Sequence, residues 1–311
     1  MPLLYIFSFV ILGMALRIIS AHFRLGIFNM AFKFLNNFAI WVILPVVVFI
    51  STARYTSGQI LGFGNALLLG FIGAGVCFVS AVVISNMARE DKKTTVAMTL
   101  NSTFMNTTYL GFPTVYVLLG SAALGPAALY AIGIGTLHII FGTAMASLIS
   151  KRRLTSRDVA MTVLTFPAVF ALIAALVFVA FQAPLPDIVK NTFDTYLAMP
   201  FFALMLLLVG YQIPLVNPRR YFGQLATVGS LRFLVCPLVS YLFILILGLN
   251  LRTDLSPRPA LLLSAMPPAV FNIILAHNFK LDMKLYGALV FYLTLAFLFV
   301  ALPLLYSTML I

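Results

Sequence analysis

Charge is the scarcest commodity in this 311-residue chain: charged residues make up 8%, only seven of them acidic, against 63% hydrophobic residues and a mean hydropathy of +1.11. A water-facing globule carries about a quarter charged residues, so a soluble fold is excluded and nearly the whole chain is expected to lie in a membrane. Cysteine is also rare. Cys77 and Cys236 both fall inside apolar segments, without metal-ligand spacing, and read as buried thiols rather than a disulfide or a metal site. Catalytic motifs are missing: there is no Gly-x-Ser-x-Gly, no His-Glu-x-x-His and no phosphate-cradling loop with a Lys, so no enzyme and no cofactor is expected.

What is present is hydrophobic length. Ten apolar segments have about the 20 residues needed to cross the hydrocarbon core. They run over 3–20, 32–52, 60–85, 95–119, 123–150, 159–181, 192–211, 224–247, 259–279 and 285–307. The first lacks a basic flank before it and a small-residue cleavage site, and reads as a span rather than a signal peptide. The net charge of +12 sits in short clusters between segments, as in cytoplasmic loops and unlike a nucleic-acid surface. With the N-terminus outside, the inner loops and span ends hold fourteen basic residues and the outer loops four: Arg54, Lys190, Arg252 and Arg258. Both termini are therefore expected outside, in a multi-pass protein of the plasma (inner) membrane. The remaining basic residue, Arg232, lies within the eighth segment, away from the loops, and is expected to snorkel to the cytoplasmic interface.

The two halves echo each other. Asn36-x-Phe38 with Pro45 recurs as Asn191-x-Phe193 with Pro200, an offset of 155 that also carries Pro113 onto Pro268. Five spans per copy force the second copy to enter from the opposite side. The expected fold is all-α, with ten transmembrane helices in two inverted five-helix repeats: residues 1–150, a cytoplasmic linker 151–158, and residues 159–311. Interrupted spans at matching repeat positions mark the midplane site of a secondary transporter.

The most unusual stretch is 101–113, Asn101-Ser-Thr-Phe-Met-Asn-Thr-Thr-Tyr-Leu-Gly-Phe-Pro113. Polar, helix-interrupting sequence survives at membrane depth only against protein or a cavity. Gly111 and Pro113 are expected to break the fourth span, and Pro267 and Pro268 the ninth. The new half-helix after each break would turn free N–H groups and a positive dipole end toward the midplane, a cation-free way to hold a carboxylate. Asn106, Thr107, Asn101 and Asn272 are the candidate substrate contacts. No carboxylate is expected at the bilayer centre, which leaves His277, His138 and Asp194, the last near an outer end, as candidates for proton or ion coupling.

Asn106-Thr-Thr-Tyr-Leu-Gly-Phe-Pro113, Met266-Pro-Pro-Ala-Val-Phe-Asn-Ile-Ile-Leu-Ala276 and Leu44-Pro45 resemble the corresponding stretches of the auxin efflux carrier family, a likeness that spans the chain. Thr108 stands where that family usually has Gly, and either Pro267 or Pro268 matches its crossover proline. The resemblance implies helices 4 and 9 broken and crossing at mid-membrane, a scaffold and a transport subunit, often a homodimer, and movement of organic anions. The short linker implies a compact prokaryotic-type member. The expected activity is secondary transport, as exporter or uniporter, of small carboxylates, auxin-like or dicarboxylate, by elevator-like alternating access. Two rival readings are a sodium-coupled symporter of the bile-acid type and a non-transporting membrane receptor or scaffold.

Overall fold

The computed structural model describes residues 2–23, 26–150, 155–212 and 219–309. Residues 151–154, which hold the basic part of the expected linker, lie outside the described residues. Among the described residues the chain is all helix, with no strand beyond one isolated bridge. Seven helices are long and apolar enough to cross a bilayer: Pro2–His22, Gly26–Ala53, Ser57–Met87, Ser121–Ile149, Asp187–Gln212, Phe222–Ile246 and Met283–Ser307. An eighth span is formed if Arg157–Leu164 and Pro167–Ala180, which meet at 60°, count together. Leu4, Trp41, Leu61, Val79, Leu234 and Ile246 are all largely exposed, a distribution that water would not tolerate and lipid does.

Two further segments are helical only in pieces. Lys92–Thr103 is followed by an extended stretch and then Thr107–Leu119, and Pro257–Ser264 by an extended stretch and then Phe271–Asn278. Asp91 starts the first of these helices, its carboxylate accepting from the N–H groups of Lys93 and Thr94 at 2.7 and 3.1 Å.

Proline also explains five of the six widened turns among the described residues, His138–Gly142 being the one with no proline after it. Lacking an N–H, and with a ring that crowds the carbonyl four residues back, proline is poorly accommodated in an α-helix. Five five-residue π-turns each end two or three residues before one: Ala39–Ile43 before Pro45, Thr107–Gly111 before Pro113, Phe193–Leu197 before Pro200, Leu231–Val235 before Pro237 and Phe297–Ala301 before Pro303. In each, the next N–H reaches back five residues, as Leu44 does to Ala39 and Phe112 to Thr107. The π-turns before Pro45 and Pro200 fall at the positions that the sequence offset pairs.

Helices Pro2–His22 and Ala198–Gln212 approach closely through their backbones. A Cβ on Gly13 would stand 2.1 Å from the carbonyl oxygen of Leu207, and one on Gly210 2.0 Å from that of Val10. Small residues at reciprocal positions let van der Waals contact, rather than hydrophobic transfer, hold helices together in lipid. Gly210→Val therefore pushes the two helices apart, at a cost of about 1–3 kcal/mol. A lowered midpoint in thermal unfolding of the detergent-purified protein is the expected result, and an unchanged midpoint would show the contact to be slack.

Candidate functional site

The two extended stretches cross each other. Met105 and Pro268 form an antiparallel bridge, flanked by the Asn106 N–H donating to the Pro267 carbonyl at 2.8 Å and the Ala269 N–H donating to the Phe104 carbonyl at 3.0 Å. This is the non-hydrogen-bonded type of pair, in which the two opposed residues exchange no hydrogen bond with each other. Pro268, with no N–H to offer, costs the bridge nothing there. Pro267 supplies an acceptor instead.

Behind the crossing runs a buried polar relay. The Asn272 side-chain amide donates to the Asn101 Oδ1 at 3.1 Å and to the Leu100 carbonyl at 3.3 Å, while its Oδ1 lies 2.7 Å from the His138 Nε2. The Leu100 carbonyl can only accept, so it fixes which end of the Asn272 amide is NH2. The Oδ1 must then accept from His138, whose proton is thereby assigned to Nε2. Asn101 in turn donates to the Ala97 carbonyl at 2.8 Å. The imidazole is stacked on Phe104 (ring centroids 4.2 Å apart, planes 7° apart) and meets the edge of Phe271 at 5.0 Å.

Arg232 completes the crossing. It is fully buried in the Leu231–Val235 turn and donates to three carbonyls: Met266 at 3.1 Å through Nε, Ser102 at 3.1 Å, and Ser264. The Ser102 and Ser264 carbonyls belong to the last turns of the two helices that end at the crossing. Such carbonyls have no intrahelical partner. The expectation that Arg232 snorkels to the interface is therefore corrected: the unpaired carbonyls hold its guanidinium in the interior more strongly than water at the surface would draw it out.

On the other side of the crossing lies a cavity of about 230 Å³. Asn106, Thr107, Thr108 and Tyr109 line it from one half-helix start and Ala269, Val270 and Phe271 from the other, with His138, Asn36, Gln212, Thr162 and Phe166 among the remaining walls. Among the described residues, no Asp, Glu, Lys or Arg lines it. The Asn106 Nδ2 is buried without a hydrogen-bond partner. The backbone N–H groups of Thr108, Tyr109, Val270 and Phe271 follow extended chain, and among the described residues no hydrogen bond engages them. Asn36 Oδ1 is already occupied, accepting from the Tyr109 hydroxyl and the Gln212 amide, each at 2.8 Å.

Of the residues expected from sequence, Asn106, Thr107 and His138 line the cavity, whereas Asn101 and Asn272 stand behind it in the relay. Pro113 is two turns beyond the bridge, inside helix Phe112–Leu119, and does not mark the crossing. The offset that pairs it with Pro268 holds in sequence, but the structure sets Pro268 opposite Met105. Gly111 allows a close approach instead, since a Cβ there would meet the Leu263 Cδ2 at 2.6 Å. Asp194 does not line the cavity and is doubly bonded to Arg54, at 3.1 and 3.2 Å. His277 is exposed in the last turn of its half-helix. Arg232, Tyr109, Asn36 and Gln212 were missed as parts of the site; a basic residue deep inside the eighth segment was the one signal for Arg232.

A mostly helical membrane protein whose two interrupted segments cross over a central cavity has the build of a transporter. The family model described as "Membrane transport protein" matches residues 1–306, and the chain belongs to that family, the auxin efflux carriers. It is similar to an uncharacterized transporter of Methanocaldococcus jannaschii, 23% identical over 84% of this chain and 85% of the relative. It is also similar to an uncharacterized transporter of Methanothermobacter thermautotrophicus, 25% identical over 87% and 86%.

Removal of the Asn272 side chain would strand two buried groups, the His138 Nε2–H and the Asn101 Oδ1, at about 1–3 kcal/mol each. Asn272→Ala is therefore expected to lower the thermal midpoint more than Asn106→Ala, whose Nδ2 has no protein partner to lose. Equal midpoints would argue against the relay.

Proposed function

We propose that this chain is a secondary transporter of small organic anions, binding a carboxylate in the cavity beside the crossing. The observation that carries the reading is the meeting of two half-helix N-terminal ends at one cavity, together with the buried, unpartnered Asn106 amide. Each helix start carries about half a unit of positive charge, and N–H groups left over there are natural donors to an anion. Among the described residues no Lys or Arg lines the cavity, so the two helix starts match about one negative charge in it, and the apolar walls receive the organic body. Asn106 and Thr107 are the proposed contacts. His138 lines the cavity with Nε2 engaged by Asn272, which leaves it to orient the site.

The same reading includes ten spans in two inverted repeats, residues 1–150 and 159–311 about the 151–158 linker, working as a homodimer by alternating access with both termini outside. The antiparallel crossing and the matched turns before Pro45 and Pro200 support the repeat. An inside-negative membrane potential favours export of an anion by about 2.3 kcal/mol per charge per 100 mV, so export needs no coupling ion.

The test is flux in proteoliposomes across a panel running from acetate and benzoate to malonate and malate, with and without sodium and a pH gradient. Saturable uptake of one or more carboxylates, weakened roughly tenfold or more in Asn106→Ala, is the expected outcome. Flux that strictly requires sodium would favour a symporter of the bile-acid type. No flux with any carboxylate would favour a receptor or scaffold.

A further inference from the structure

We propose that Arg232 is a positioning residue of the anion site, a guanidinium clamp that sets the crossing from behind and so determines how tightly the cavity holds an anion. The proposal rests on the anion-site reading above, and its starting point is the burial of a full positive charge with no carboxylate beside it among the described residues. Such a charge inside a bilayer is costly unless something answers it. Here the answer is backbone. The C-terminal ends of helices Lys92–Thr103 and Pro257–Ser264 each present unpaired carbonyls and about half a unit of negative charge. Arg232 donates to one last-turn carbonyl from each, Ser102 and Ser264, and to Met266 within the second extended stretch. The charge of one guanidinium is thus matched by two helix ends.

The consequence for the cavity is geometric and electrical. The two half-helices that begin beyond the crossing, Thr107–Leu119 and Phe271–Asn278, take their directions from the bridge residues Met105 and Pro268. Those in turn hang from chain that Arg232 holds on both sides: Ser102 lies three residues before Met105, and Met266 two before Pro268. With the negative ends neutralised by Arg232, the positive ends facing the cavity are left uncancelled. An anion then meets two aligned helix starts rather than two neutralised dipoles.

Lysine cannot substitute. Its ammonium keeps the charge but has no planar fork, so it cannot hold carbonyls of two separate segments in a fixed relative position. Arginine's position is defined, too, by the helix that carries it. The Leu231–Val235 turn is widened ahead of Pro237, and its outer face, at Leu234, is exposed while Arg232 is buried.

The test compares full-length wild type, Arg232→Lys, Asn106→Ala, the double variant and the lipid-facing control Leu234→Ala in proteoliposomes, with benzoate and malonate as probes. Arg232→Lys should purify as a monodisperse protein, raise the half-saturating anion concentration about tenfold or more and leave the maximal rate within about threefold. Because the clamp acts through the same helix starts as Asn106, the double variant should be no more than about threefold worse than the weaker single variant, where independent sites would multiply. An Arg232→Lys protein with wild-type half-saturation overturns the clamp, as does a multiplicative double variant. Failure of Arg232→Lys to assemble also overturns it, in favour of a plain requirement for folding. If Asn106→Ala behaves as wild type, or wild type transports neither probe, the anion-site reading falls and the clamp with it. A tenfold effect of Asn106→Ala with none of Arg232→Lys removes the clamp alone.

Discussion

Lipid supplies no hydrogen bonds, so an interrupted helix at membrane depth must find partners for every backbone group it frees. In this protein that constraint is met at one place. The extended stretches around Met105 and Pro268 satisfy each other through two backbone hydrogen bonds, and Arg232 takes up the carbonyls that the incoming helices leave over. The N–H groups that begin the outgoing half-helices are the remainder. They line the cavity, and the chemistry proposed for the site is what becomes of donors that the fold does not satisfy itself.

The polar relay shows the same economy. Asn101, Asn272 and His138 come from three separate helices, and each buried donor or acceptor named in the relay has a partner. Asn106 differs from them in having an amide with no partner, although it is just as buried. Burying an unpaired amide is costly unless something supplies the missing hydrogen bond, which is why Asn106, and not its better-bonded neighbours, carries the functional reading.

Away from the crossing, the bond between Arg54 and Asp194 shows how one residue type serves different ends at different depths. Near the end of helix Leu44–Ala53, Arg54 has a carboxylate partner and is stacked over Phe193, with the Tyr116 hydroxyl donating to the Asp194 carbonyl at 3.1 Å. Arg232, at the crossing, is answered by backbone carbonyls, two of them at helix ends. A carboxylate there would put a negative charge behind the proposed anion site.

The amino-acid sequence by itself determined that the chain is a helical membrane protein and that it breaks within 101–113 and at Pro267-Pro268, and it pointed to Asn106, which lines the cavity. These follow from composition and from local rules: long apolar runs, and prolines and polar residues that cannot face lipid. The sequence pointed to Pro113 as the break because proline is the visible helix breaker, yet proline at the start of a helix is accommodated by a widened turn, and the chain opens instead at Phe104–Asn106. Only the tertiary structure decided that Pro268 opposes Met105, that Asn101 and Asn272 serve the relay rather than the cavity, and that Arg232 turns inward. Each of those outcomes depends on which carbonyls and amides from distant segments are left without partners once the helices pack, and that is a property of the assembled fold rather than of any one stretch.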